Sequence, residues 1–280
     1  MVAVLGLGVV PADTPILRAD DLGALRGDGI FETMHVRASR AALLDEHLDR
    51  MTVSAQRLDL TPPPRADLAD LVSATAAAWP ADQEGMLRLV LTRGAETPPG
   101  PPTVFATVTA VPDSMRQART AGVALLTASL GLPADLRRGA PWLLGGAKTL
   151  SYAVNMASQR WAQAAGADDV LWVSSDGYAL EAPTSTLVWL DGKVLCTVPV
   201  EATGILAGTT AAWLLKHAPD LGFTADERMI APSALLAADG AWLTSSVRGA
   251  APIRTVDGAP VTQDDAVTAA IATLLGFDLP

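Results

Sequence analysis

One cysteine, three lysines, three histidines and two tyrosines in 280 residues leave little for several kinds of chemistry. Cys196 alone can form no internal disulfide and supply no multi-cysteine metal site, which excludes disulfide scaffolds and zinc ribbons. The histidines His35, His47 and His217 have no metal-ligand spacing, so no metal is expected. Charged residues make up only 18% against 50% apolar ones, a balance that excludes a disordered tail or a charged coiled coil and implies a packed globule. No apolar run reaches the roughly 20 residues that cross a bilayer, so no membrane is expected. The apolar opening Met1–Val10 has no preceding Lys or Arg and runs into an acidic turn with two prolines, so it reads as a strand and the protein as cytoplasmic. A net charge of −10 repels phosphate backbones and argues against nucleic acid as a partner.

The length allows two modest domains or one large one. A strand is predicted around 4–10, then extended segments at 29–37 and 41–44 joined by a turn at Ala38–Arg40. From Asp45, a possible cap, Leu48, Met51, Ala55 and Leu58 recur at helical spacing, so a helix is predicted over 45–58 and a second from Pro64 to Trp79. Strands at 86–92 and 103–111 follow, and the polar stretch 112–121 reads as an interdomain connection. Beyond it the pattern predicts a strand at 122–128 and a helix over 149–165 on the stripe Leu150, Val154, Ala157 and Trp161. Strands at 170–174, 187–190 and 194–198 and helices near 209–217, 232–237 and 263–275 complete the reading. The fold class is α+β, in two lobes with a cleft between them: residues 1–115 and 116–280.

Scarcity lets each lysine be weighed singly. Lys193 lies in an Asp-Gly-Lys turn and Lys216 near a helix end, and both read as solvated surface charges. Lys148 sits between Gly145-Gly146-Ala147 and Thr149-Leu150-Ser151-Tyr152, where little polarity solvates it; desolvation lowers an ammonium's pKa, which is what a nucleophilic lysine needs. On local chemistry alone it is either a catalytic amine or a satisfied structural residue. A phosphate loop is excluded, because position 147 is Ala and the upstream glycine of that motif would fall at Trp142. Glu181, between apolar neighbours in Ala179–Thr186, either faces water from an edge strand or needs a cationic partner such as a protonated pyridine nitrogen.

Five motifs then occur in order: Arg26-Gly-Asp-Gly-Ile-Phe-Glu-Thr33, Glu46-His-Leu-Asp-Arg50, Ala147-Lys-Thr149, Glu181, and Gly208-Thr-Thr210, with a late Thr244-Ser-Ser246. Over roughly residues 20–255 this resembles the fold-type IV pyridoxal-phosphate enzymes: aminodeoxychorismate lyases, branched-chain aminotransferases and D-amino acid aminotransferases. The resemblance implies a small N-terminal α/β lobe, a larger C-terminal cofactor-binding lobe with a mixed-sheet, barrel-like core, and a homodimer. It implies that Lys148 holds pyridoxal 5'-phosphate and moves the proton, and that Glu181 pairs with the pyridine nitrogen. Arg50 would grip the phosphate, with the helix start at Thr209 and Thr210 and the Ser246 hydroxyl completing its cup. Ala211 stands where many relatives have Arg.

The D-amino acid enzymes carry an Arg-x-His pair shortly after a Thr-Arg-Gly strand end; here Thr92-Arg93-Gly94 leads into Ala95–Gly100 with neither residue. Branched-chain enzymes have an aromatic residue in place of Arg26 and a glycine in place of Thr33. The segment Gly27–Thr33 is most similar to that of aminodeoxychorismate lyases, which implies conversion of 4-amino-4-deoxychorismate to 4-aminobenzoate and pyruvate, a step of folate biosynthesis, with transamination as the alternative. Thr33 becomes a candidate proton donor, and Arg93 and His35 become candidate contacts to the small-molecule substrate.

Overall fold

The computed structural model describes residues 1–277 and forms two compact units: Met1–Pro112 with Ala147–Tyr152, and Asp113–Gly146 with the chain from Ala153 onward. The last three residues of the expected 116–280 lobe lie outside the described residues.

The first unit runs β1 (Val2–Val4), β2 (Gly8–Val10), α1 (Leu22–Arg26), β3 (Gly29–Arg37), β4 (Arg40–Ala41), α2 (Leu44–Arg57), α3 (Arg65–Ala77), β5 (Gly85–Thr92) and β6 (Val104–Ala110). Its strands make one antiparallel sheet in the order β2-β1-β6-β5-β3-β4. The segment 4–10, expected as one strand, instead folds back on itself: β1 and β2 pair as a hairpin, Val4 against Gly8. Between β3 and β4, Ala38 and Ser39 both take positive φ, 46° and 56°, the twist that a two-residue hairpin turn demands. On one face of β3, Ile30, Met34 and Val36 are fully buried, Ile30 opposite Leu91 and Met34 opposite Leu87 of β5. Helix α2 packs Leu48, Met51 and Ala55 into the core, and removal from water contributes roughly 1.5–3 kcal/mol for each of the Leu48 and Met51 side chains. Asp45 is not the cap of α2: Leu43 holds that position at φ 53°, and Asp45 lies in the first turn, where its charge still favours the helix dipole.

In the second unit come α4 (Asp113–Ala121), β7 (Val123–Ser129), α5 (Leu136–Gly139), α6 (Ala153–Ala164), β8 (Asp169–Val173), β9 (Glu181–Ala182), β10 (Ser185–Asp191), β11 (Val194–Thr197) and α7 (Val200–Thr203). Then follow α8 (Thr209–Lys216), β12 (Thr224–Glu227), α9 (Pro232–Leu235), β13 (Gly240–Ser245), β14 (Gly249–Val256), β15 (Ala259–Pro260) and α10 (Asp265–Leu274). The mixed sheet has the order β12-β11-β10-β13-β14-β7-β8, parallel at β11–β12, β14–β7 and β7–β8. Leu180 N donates to Trp172 O of β8 while β9 pairs with β10, so the stretch 179–182 links the far strand back to the middle of the sheet. Leu187 and Trp189 pack into one apolar cluster with Leu125, Leu171 and Leu243; the alternating Val188 and Leu190 pack into another with Leu214 of α8 and Ile271 of α10.

Two expectations are corrected here. The stretch read as a polar connection is helix α4, whose basic Arg119 is buried against Phe277, a long-range contact that the local composition does not express. Helix α6 starts at Ala153 rather than 149, and the stripe Val154, Ala157, Trp161 faces outward. Its inner face is Asn155, Ser158, Gln159 and Ala162, held by bonds from Asn155 to Pro183 O and from Gln159 to Asp169.

Candidate active site

Lys148 owes its place to a backbone approach at the start of β3. Gly29 O accepts from Leu150 N at 2.9 Å, and Phe31 N donates to Lys148 O at 3.1 Å, so residues 148–150 pair briefly with β3 on the side away from β5. A Cβ at Gly29 would lie 2.6 Å from Leu91 O and 2.7 Å from Leu150 Cδ1, which explains why this approach needs glycine. From α2, Ser54 Oγ accepts the Lys148 N–H at 3.0 Å. The side chain is 9% exposed, its Nζ 4.6 Å from the Phe31 ring centroid and 5.5 Å from that of Tyr152. The two rings stand edge to face at 5.1 Å, and Nζ donates to the Tyr152 hydroxyl at 3.3 Å. Two aromatic faces and a phenol oxygen thus surround the amine within the first unit.

On the other face of β3, Glu32 takes a position among Ile30, Met34 and Val36 and is wholly buried. Arg50 donates to it through Nε (2.9 Å) and Nη2 (2.6 Å), and His47 Nδ1 lies 2.6 Å from Oε2. The i, i+3 spacing of His47 and Arg50 brings both to the side of α2 that faces the strand. Burial alone would raise the Glu32 pKa, but the Arg50 charge and the hydrogen bonds from Arg50 and His47 outweigh it and hold the carboxyl at about 2. Burial pushes the His47 pKa down, and the positive charges of Arg50 and Lys148 push the same way against the pull of Glu32. The neutral imidazole then carries its proton on Nδ1, because an ionised carboxylate only accepts.

Thr33 is half-buried on β3, two residues from Phe31 and therefore on the same strand face. His35, whose orientation the sequence leaves open, is 2% exposed with Nε2 2.9 Å from Glu84. Arg93, expected at the substrate, is committed elsewhere: Nε donates to Asp28 at 2.7 Å, Nη2 to Leu58 O at 2.6 Å and Nη1 to Asp59 O at 3.2 Å. These bonds tie the end of β5 to the carbonyls that close α2, which is a structural task.

Within the second unit, Glu181 is half-buried; Oε2 accepts from Leu206 N at 3.2 Å and Oε1 from Arg137 Nη1 at 3.3 Å. Helix α8 begins at Thr209 after Gly208, which supplies no side-chain cap, and helix geometry leaves the first-turn N–H groups without intrahelical acceptors. A Cβ on Gly208 would come within 2.2 Å of Thr186 Oγ1, so only glycine allows this approach. Thr209 Oγ1 is 3.4 Å from Ser246 Oγ, and the buried Thr210 Oγ1 has no hydrogen-bond partner among the described residues. A dipole end, two adjacent hydroxyls and an orphaned third make a cradle suited to an anion. No group of three or more potential metal ligands occurs among the described residues, and no helix among them is long and apolar enough to cross a membrane.

Glu32, Ser54, Tyr152 and Arg137 carry the geometry of these clusters without having been assigned roles from sequence. A signal existed for Glu32: a carboxylate alternating with Ile30, Met34 and Val36 on a buried face requires a cation, and Arg50 is the one that α2 brings.

A model of class IV amino-transferases matches residues 29–256. The chain is 42% identical over 266 residues, 92% of its own length and 92% of the relative's, to a bifunctional aminodeoxychorismate lyase / D-amino acid transaminase of Mycobacterium tuberculosis. A solved hypothetical aminotransferase of the same organism, in a PLP-bound form, is similar with a TM-score of 0.93 at 41% identity over 99% of this chain and 97% of that one. A 4-amino-4-deoxychorismate lyase from Pseudomonas aeruginosa is similar with a TM-score of 0.80 at 25% identity, over 98% of each chain.

Proposed function

We propose, from the premise that this chain belongs to the class IV amino-transferase family, that it is a lyase converting 4-amino-4-deoxychorismate into 4-aminobenzoate and pyruvate. Its cofactor is pyridoxal 5'-phosphate, the group bound in the related M. tuberculosis structure. The cradle at α8 fits a phosphate, since Thr210 buries a hydroxyl with no hydrogen-bond partner among the described residues and no side chain caps the start of the helix. Bound, the cofactor supplies an electron sink that acidifies the C–H beside the substrate amine.

Each residue then has a task. Lys148 would hold the cofactor and, once the substrate amine has taken its place and freed it, would accept the proton from the amine-bearing ring carbon. Glu181 would pair with the pyridine nitrogen and keep it protonated. Thr209, Thr210 and Ser246 would receive the phosphate; for Arg50, whose guanidinium Glu32 orients, the family motif implies the same ligand. Thr33 donates a proton toward the ether oxygen as the enolpyruvyl group departs, which leaves the ring aromatic. Arg93 and His35 are not given substrate contacts, because Asp28 and Glu84 engage them. The assembly is a homodimer.

The observation that carries the lyase reading is Thr33 on the β3 face of Phe31, the ring over which the Lys148 amine lies. A hydroxyl donor and an amine base on one strand face suit elimination of an ether. A second reading, D-amino acid transamination by the same residues, is favoured by the double activity in the name of the relative at 42% identity. Purified enzyme given aminodeoxychorismate without any 2-oxo acid should form 4-aminobenzoate and pyruvate in equal amounts. Strict dependence on an amino acceptor, with no aminobenzoate, would replace the lyase by the transaminase; D-alanine with 2-oxoglutarate measures the second activity directly.

A further inference from the structure

The turn from β13 into β14 carries Ser246, and the two residues that follow it are fastened by arginines to which the proposed reaction gives no role. Val247 is buried, and its carbonyl accepts from Arg119 Nη2 at 2.7 Å. Arg248 Nη1 donates to Asp169 Oδ2 at 3.0 Å, and Asp169 is wholly buried, its Oδ1 accepting from Gln159 Nε2 at 3.1 Å and Val170 N at 3.0 Å. Asp169 opens β8 and Arg248 immediately precedes β14, so the ion pair joins segments 79 residues apart in the chain. A buried carboxylate cannot lose its cation without large cost, so Asp169 fixes where Arg248 sits and hence where the turn sits. Ser246, two residues before Arg248, is left with its hydroxyl 3.4 Å from that of Thr209 at the start of α8.

We propose that Arg248, through its pair with Asp169, is a positioning residue for the phosphate of the cofactor: it holds the 246–248 turn so that the Ser246 hydroxyl joins the α8 cradle. This rests on the reading of Ser246 as a phosphate ligand. An ion pair that served only to tie β8 to the sheet would affect all ligands of the chain alike. An ion pair that serves the phosphate affects only ligands that carry one.

The test measures dissociation constants of pyridoxal 5'-phosphate and of pyridoxal for the full-length, cofactor-stripped protein, by quenching of tryptophan fluorescence. Ser246→Ala should weaken pyridoxal phosphate about tenfold, the worth of one hydrogen bond to a charged group, and leave pyridoxal unchanged. Arg248→Gln should show the same selective loss, Arg248→Lys should recover most of it, and adding Ser246→Ala to Arg248→Gln should cost less than about twofold more. If Arg248→Gln does not fold, an intermediate and phosphate-selective loss in Arg248→Lys carries the same conclusion. Equal weakening of both ligands by the Arg248 variants, or none, overturns the positioning role. Unchanged pyridoxal phosphate affinity in Ser246→Ala overturns it one step earlier, by removing Ser246 from the phosphate site.

Discussion

Glu32 and Arg50 meet at two points inside the first unit, Oε2 2.6 Å from Nη2 and Oε1 2.9 Å from Nε, with the carboxylate wholly out of water. Geometry of this kind fixes the plane of the guanidinium, so the residue expected to meet a phosphate is pre-oriented rather than free to rotate. Glu32→Gln removes the charge and leaves a buried cation poorly matched. Unfolding in urea should show a loss of about 3–5 kcal/mol. A loss below about 1 kcal/mol would mean that the pair is dispensable for the fold.

The same cluster sets the acid limb of stability. Glu32 is held at about 2 against an ordinary 4.5, so its contribution is complete above pH 4.5 and is lost as pH falls through about 2. That interval corresponds to roughly 3 kcal/mol. His47, with its pKa lowered from 6.5 by burial, takes up its proton at a lower pH in the folded chain than in the unfolded chain, so stability already declines as pH drops below 6.5. Both titrations act in one direction, and no opposing gain on acidification is expected from this cluster. Denaturant midpoints measured from pH 8 to 3 should fall throughout the acid range, and Glu32→Gln should flatten the part below pH 4.5.

Local pattern made β3 and α2 legible, because the apolar Ile30, Met34 and Val36 of an extended segment and the helical spacing of Leu48, Met51 and Ala55 both express burial that the structure realises. It misled at α6, where the inner face is polar and its hydrogen-bond partners, Pro183 and Asp169, are distant in sequence. Strands β13 and β14 were not anticipated beyond the Thr244–Ser246 motif: Ala-rich stretches with Pro252 inside give a weak strand signal, and their pairing with β10 and β7 comes from the sheet. For the site, scarcity singled out Lys148, and apolar neighbours singled out Glu181. The commitment of Arg93 was not readable, since its acceptors are carbonyls at the end of a helix some thirty-five residues away.

That commitment is itself testable. Arg93→Ala deletes the bonds to Asp28, Leu58 and Asp59, and should lower stability by about 1–3 kcal/mol. KM for substrate should hold near its original value. A large rise in KM with unchanged stability would return Arg93 to the substrate.

Lys148 should carry the cofactor. Borohydride reduction of the holoenzyme followed by peptide mass mapping should place the pyridoxyl mass on the peptide containing Lys148, and Lys148→Ala should bind cofactor without the reducible link. A label on Lys193 or Lys216 would contradict the assignment; both are exposed, their amines 5.4 Å from the Phe223 ring and 5.9 Å from the Trp213 ring.

The hydroxyl of Thr33 separates the two activities. Elimination of the enolpyruvyl group breaks a C–O bond whose oxygen must be stabilised as it leaves, whereas transamination moves a proton between carbon atoms and has no such oxygen. Thr33→Val keeps the shape and β-branching of the strand residue and removes the donor, so the lyase rate should fall by roughly 10²–10⁴-fold, the usual worth of a positioned general acid. Thr33→Ser should recover most of that loss. Transamination of D-alanine, assayed on the same preparations, should change much less in either variant, and the fall should appear in kcat rather than KM, because the donor acts in the transition state. Equal loss of both activities in Thr33→Val would show that the residue shapes the strand around Phe31 and Lys148 instead of donating a proton.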